Sequence, residues 1–255
     1  MTSHFEVART GDMVVTTEDV SITVPGCEKP MRTLVHTPRA EGRYPGILVY
    51  SDIFQLTGPQ LRVSQRLAGY GFVVATPEIY HRREPAGLAI PFTDEGRTRG
   101  LNDAKATTVA EFDADARAVL DWLKARGNVS ALGAMGFCIG GHLAFRAALQ
   151  TDVRATVCFY PTGVHDGKLG ADTDAGTLAR AKEIQGELML VFGTRDPHVP
   201  EEARAKIARA VPRAATRFYD AEHAFMRDEG PRYDAEATDS AWAEAIAFLR
   251  SAMGR

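Results

Sequence analysis

The segment Gly136-Phe137-Cys138-Ile139-Gly140-Gly141 constrains this chain more than any other. It follows a run of small and apolar residues, 131–137, that reads as a buried strand. It opens a stretch, 139–149, that reads as a helix. Three glycines in six residues mark a turn too tight for side chains on both flanks. A strand turning so sharply into a helix belongs to a sheet of parallel strands with helices packed on its faces. The remaining pattern agrees. Strands are predicted at 32–36, 46–51, 72–75, 153–160, 187–192 and 216–219, with helices at 59–70, 104–126, 201–211 and 239–253. In the 104–126 helix, Val109, Phe112, Ala116, Val119, Leu120 and Leu123 line one face. The polar stretch 78–100, rich in Gly, Pro and Arg, reads as a long loop of the kind that often covers a site. No repeat or linker interrupts the pattern. The expectation is therefore one α/β domain over residues 1–255, with a mostly parallel central sheet, helices on both faces and an antiparallel start within residues 1–40.

Composition matters here mainly for what it excludes. With 45% hydrophobic and 25% charged residues in 255, the chain can bury a sizeable core and is not intrinsically disordered. A net charge of −3 supplies no basic footprint for nucleic acid. No apolar run reaches the ~18–20 residues of a membrane span. Residues 1–10 hold no apolar core of a secretory signal. The three cysteines, Cys27, Cys138 and Cys158, form no C-x-x-C pair, which argues against a disulfide framework or a zinc site. A reducing cytoplasm is the expected compartment. There is no G-x-G-x-x-G after a strand and no P-loop, and the histidines lack ligand-like spacing. Neither cofactor nor metal is expected.

Chemistry is expected at the turn itself. G-x-C-x-G between strand and helix has the form of a nucleophile elbow, which thrusts one side chain out at the end of a strand. The helix N-terminus that follows favours an anionic sulfur. The Ile139 N–H would face an oxyanion. The competing reading is a buried packing cysteine, which is how Cys27 and Cys158 are read. A cysteine nucleophile needs a histidine to move protons and an acid to orient it. In folds built around this elbow, acid and histidine follow the nucleophile in that order. Asp196 lies just past the 187–192 strand, and His223 lies just past the 216–219 strand. Each separation leaves room for a strand and a helix. His198 is the rival base, but it sits two residues from Asp196 in the same turn. The small-molecule ligand of such a site is expected at the carboxyl ends of the strands.

These residues carry a family likeness. From about Gly46 to the closing helix the chain resembles dienelactone hydrolase (carboxymethylenebutenolidase), a single-domain α/β-hydrolase with a Cys-His-Asp triad. The likeness is most specific in Gly-Phe-Cys-Ile-Gly-Gly, in Asp196-Pro-His-Val-Pro and in His223-Ala-Phe-Met-Arg227. It implies Cys138 as nucleophile, with His223 and Asp196 as partners. It also implies that Asp52, in Ser51-Asp52-Ile53-Phe54, fills the place of a family glutamate that holds the thiol and helps ionise it. The Ile53 N–H would be the second oxyanion donor. Arg227 would bind a substrate carboxylate together with Arg99, or with Arg97 in reserve. Asp103 and Ala106 stand near the places of two aromatic pocket residues, a departure that bears on the substrate. The resemblance implies hydrolysis of a lactone or ester, most simply carboxymethylenebutenolide to maleylacetate, through a thioester. The alternatives are a broader carboxylesterase or thioesterase, or a catalytically silent protein of this fold that binds a ligand.

Overall fold

A computed structural model describes residues 14–254. One eight-stranded sheet runs through it in the order β1-β2-β4-β3-β5-β6-β7-β8. Its strands are β1 (Val15–Ile22), β2 (Met31–Pro38), β3 (Tyr44–Tyr50), β4 (Val73–Pro77), β5 (Val129–Phe137), β6 (Val153–Phe159), β7 (Glu187–Gly193) and β8 (Ala215–Tyr219). β2 pairs antiparallel with both β1 and β4, and every later pairing is parallel. The helices are α1 (Gly58–Gly69), α2 (Asp94–Ala106), α3 (Val109–Lys124), α4 (Ile139–Ala147), α5 (Glu201–Ala210) and α6 (Ala235–Met253).

Two apolar layers sandwich the sheet, because alternate strand residues point to opposite faces. Leu48 and Tyr50 of β3 join α3, α4 and α5 on one face. Ile47 and Val49 join α1 and α6 on the other, where Trp242 is 2% exposed. The chain runs from β3 to β4 on one side, then crosses back to place β5 on the other side of β3. That reversal opens a crevice at the carboxyl ends of β3 and β5, the position where open α/β sheets take their ligands.

The structure corrects three expectations. The 104–126 helix is two helices, broken at Thr107 and Thr108. Thr108 caps α3: its hydroxyl accepts from the Glu111 N–H, while the Glu111 carboxylate accepts from the Thr108 N–H. This reciprocal box satisfies two N–H groups that a continuous helix would not leave free. The 78–100 loop ends early as well, since its last third is already α2. Hydrophobic periodicity missed α2 because its buried stripe is Gly96, Gly100 and Ala104. A Cβ on Gly100 would lie 2.3 Å from the Ile53 carbonyl oxygen, so the helix packs backbone against backbone. The closing helix also starts earlier, at Ala235, where the Asp234 carboxylate accepts from the Ala237 N–H.

Candidate active site

Six loops leave the carboxyl ends of β3 to β8, and together they build one site. At the end of β5, Cys138 adopts φ 60 and ψ −121, a conformation that costs a side chain about 1–3 kcal/mol. The surroundings hold it there. Its N–H donates to the Phe159 carbonyl at 3.1 Å, and its carbonyl accepts from the N–H groups of Gly141 at 3.0 Å and Thr162 at 3.3 Å. The glycines are steric necessities. A Cβ on Gly136 would meet the Gly140 oxygen at 1.9 Å, and one on Gly140 would meet the Ser51 oxygen at 2.2 Å. The Cys138 thiol is half-buried at the start of α4, whereas Cys158 is sealed in β6, where burial pushes its pKa up. Cys27 is also half-buried and donates to the Lys29 carbonyl at 3.2 Å.

The loops after β7 and β8 are stitched together. Thr194 and Arg195 donate backbone N–H groups to the carbonyls of Tyr219 and Ala221. The buried Arg204 of α5 braces the same turn, donating to the Gly193 and Val199 carbonyls at 3.2 and 2.9 Å. This geometry brings His223 Nδ1 to 2.7 Å from Asp196 Oδ2, with both residues buried. A carboxylate only accepts, so Nδ1 carries the proton and Nε2 is left to face the thiol. Asp196 Oδ1 accepts from the His198 N–H at 2.7 Å. His198 therefore meets Asp196 through its backbone, and its ring packs edge-on against His223 with centroids 4.7 Å apart. Tyr160 packs against the same imidazole at 5.1 Å.

Burial opposes a charged His223. The Cys138 sulfur, as anion and as hydrogen-bond partner, and the Asp196 carboxylate override that, raising its pKa to about 9. Burial likewise opposes ionisation of Asp196, but its bond to His223 and the nearby charges hold its pKa below the usual carboxylate value.

The other expected residues separate into two groups. Asp52, after β3, accepts from the Phe54 N–H at 2.9 Å and from Arg227 Nη1 at 3.3 Å. Its hydrogen bonds thus go to Arg227 and its own turn. Burial raises its pKa, against the pull of these donors. Arg227 lies over the rings of Phe92 and Phe54, at 4.5 and 5.2 Å from their centroids. The N–H groups of Ile53 and Ile139 have no backbone or side-chain acceptor among the described residues. Arg99 turns away from this group: both arms of its guanidinium bind the buried carboxylate of Glu84. Arg97 is exposed, and its charge reaches His198, where with burial and the charges of His223 and Arg232 it lowers the pKa. Asp103 sits beside Glu84, and burial followed by that neighbouring carboxylate raises its pKa to about 6. Ala106 is the exposed last residue of α2. Glu84, Tyr160, Thr162 and Arg204 carried no motif and were not legible as site residues.

A family model answers to this arrangement: the dienelactone hydrolase family matches residues 31–253. The chain belongs to the dienelactone hydrolase family. A Saccharomyces cerevisiae protein provisionally named a carboxymethylenebutenolidase is 34% identical over 226 residues, covering 82% of each chain. The carboxymethylenebutenolidase of Pseudomonas sp. strain P51 is 30% identical over 218 residues, covering 83% of this chain and 86% of its own. Among solved structures, a provisional dienelactone hydrolase from Klebsiella pneumoniae superposes with a TM-score of 0.78 at 22% identity, covering 92% of this chain and 98% of its own. This dienelactone hydrolase family member is an ester hydrolase with an α/β fold. No group of three or more His, Cys, Asp or Glu side chains suited to a metal occurs among the described residues. No helix among them is long and apolar enough to cross a membrane.

Proposed function

We propose that this protein hydrolyses a small lactone or ester by attack of the Cys138 thiolate, through a thioester intermediate. One observation carries the reading: a strained cysteine at a helix N-terminus faces an imidazole whose other nitrogen is held by a buried carboxylate. The thiolate adds to the substrate carbonyl, and the N–H groups of Ile139 and Ile53 receive the oxyanion. Each such donor is worth about 3–4 kcal/mol in the transition state. The tetrahedral adduct collapses, the C–O bond breaks, and the leaving oxygen takes the proton from the His223 imidazolium. In a lactone that oxygen stays tethered to the acyl chain. With the sulfur now in a thioester, the anion that supported the imidazolium is gone. His223 is then neutral and takes a proton from water as it attacks. Collapse of the second adduct releases the acid and restores the thiolate–imidazolium pair. Asp196 keeps the imidazole in one tautomer throughout.

Arg227 suits a substrate carboxylate, with Arg97 as a second cation near the mouth. A bound carboxylate would compete with Asp52 for Arg227, the partner that Asp52 holds at 3.3 Å. Carboxymethylenebutenolide, a lactone bearing one carboxylate, fits this requirement and is what the named relatives suggest. A broader carboxylesterase or thioesterase is the second reading. It is favoured by Arg99, whose charge is already met by Glu84 within the protein. Cleavage of cis- and trans-dienelactone, aryl acetates and thioesters by wild type, Cys138→Ser and Cys138→Ala tests both. A preference for dienelactones over aryl acetates that Arg227→Ala abolishes supports the first reading. Equal rates on neutral and carboxylate-bearing esters support the second. Turnover retained by Cys138→Ala removes the nucleophile.

A further inference from the structure

His142 is one turn beyond the nucleophile on α4 and is 0% exposed. Its ring is satisfied at both ends. Nδ1 lies 3.0 Å from the Thr162 carbonyl, and Nε2 lies 2.7 Å from the Thr177 hydroxyl. A carbonyl only accepts, so Nδ1 donates and Nε2 accepts the Thr177 proton. The Thr177 oxygen in turn accepts from Arg146 Nη1 at 3.0 Å. Arg146 also donates to the Ala175 carbonyl and pairs with Asp113 of α3 at 2.6 Å. The charges felt by His142 are those of Arg146, Asp166 and His165. Burial and the Arg146 charge hold it neutral, with its pKa lowered to about 3.

What this chain secures is Thr162. It lies in a tight loop between Tyr160, a non-glycine at φ 37, and Gly163 at φ 73. Its N–H donates to the Cys138 carbonyl, its own carbonyl is held by His142, and its hydroxyl lies 4.0 Å from the Cys138 sulfur. No other partner of that hydroxyl occurs among the described residues, so its proton is available to the sulfur. The sulfur then has two donors, His223 on one side and Thr162 on the other.

We propose that His142 is a positioning residue: through the Thr162 carbonyl it fixes the Thr162 hydroxyl as a hydrogen-bond donor to the Cys138 thiolate. The inference rests on Cys138 being the nucleophile. The other groups near the sulfur are His223 and Tyr80 from neighbouring loops and Tyr160 from the same loop as Thr162, with Asp52 and Arg227 nearby.

The test is the rate of Cys138 alkylation by iodoacetamide between pH 5 and 9, read by mass spectrometry of the labelled peptide. Removing one donor from a thiolate makes ionisation harder. In Thr162→Val the midpoint of the profile rises by roughly half a unit, and alkylation at pH 6 slows about threefold. Thr162→Ser restores most of the rate. His142→Leu shifts the profile as Thr162→Val does, while His142→Asn, which keeps a donor near the Nδ1 position, shifts it less. Should His142→Leu fail to fold, the valine–serine pair and His142→Asn carry the test. A lower melting temperature with an unmoved profile in Thr162→Val overturns the inference and leaves the nucleophile reading intact. Hydrolysis retained by Cys138→Ala overturns both.

Discussion

His223 and His142 are both buried histidines, yet their surroundings drive them to opposite charge states. His223 lies in the loop after β8 between the Cys138 sulfur and the Asp196 carboxylate, and against burial these two neighbours raise its pKa to about 9. His142 lies on α4 between a carbonyl, a hydroxyl and the nearby Arg146 cation, and its pKa is lowered to about 3. Desolvation disfavours the charged form of both, so burial alone does not decide the outcome. The sign of the neighbouring charge does. In the proposed mechanism the first gives and takes protons, and in the proposed positioning role the second holds a loop in its neutral form.

The largest expected effect comes from removing the sulfur. Cys138→Ala loses turnover on the order of 10⁵-fold or more, by analogy with nucleophile deletions in serine hydrolases. It also lowers the His223 titration midpoint, which NMR of the imidazole reads directly. An unchanged midpoint would break the contrast drawn above. Asp196→Asn comes next, with kcat falling by about 10⁴ because the wrong tautomer is favoured. Stopped-flow or steady-state assays on an aryl acetate measure it, and a loss below tenfold would remove Asp196 as the orienting group.

Stability against pH tests the two histidines together. His223 has a raised pKa, so its contribution is complete below the unfolded value near 6.5 and is lost as pH rises through about 9. His142 has a lowered pKa, so stability is lost as pH falls from about 6.5 through 3, where the unfolded chain binds a proton the folded chain refuses. Urea midpoints measured from pH 4 to 10 therefore show one falling limb on each side. His142→Asn flattens the acid limb, and Cys138→Ala flattens the alkaline one. A His142→Asn profile parallel to wild type would sink the assignment of that limb. The smallest effect is expected at Glu84. Glu84→Gln weakens the hold on Arg99 and lowers KM for a carboxylate-bearing lactone about threefold, in the range of a partly exposed ion pair. KM for a neutral aryl acetate stays unchanged.

Much of the fold was legible because local rules govern it. The elbow glycines, the strand–helix alternation and the order Cys138, Asp196, His223 are properties of short segments and their succession. The α2 helix was not legible, since a stripe of Gly96, Gly100 and Ala104 carries no apolar signal and is explained only by the Ile53 and Pro91 carbonyls against which the glycines pack. The break before α3 did have a signal, Thr108-x-x-Glu111, which the apolar periodicity running through it obscured. At the site, residue types and spacing picked out Cys138, Asp196 and His223 but could not distinguish Arg97 from Arg99. That distinction depends on Glu84, fifteen residues from Arg99 and itself buried.

The amino-acid sequence by itself determined where the chain must turn and which side chains stand at the ends of its strands. Backbone sterics and apolar periodicity act between near neighbours along the chain. Only the tertiary structure decided which arginine is already neutralised, which histidine is held between sulfur and carboxylate and which hydroxyl lies against the sulfur. Coulomb forces and hydrogen bonds depend on distance in space, and these partners are brought together by strands far apart in the chain.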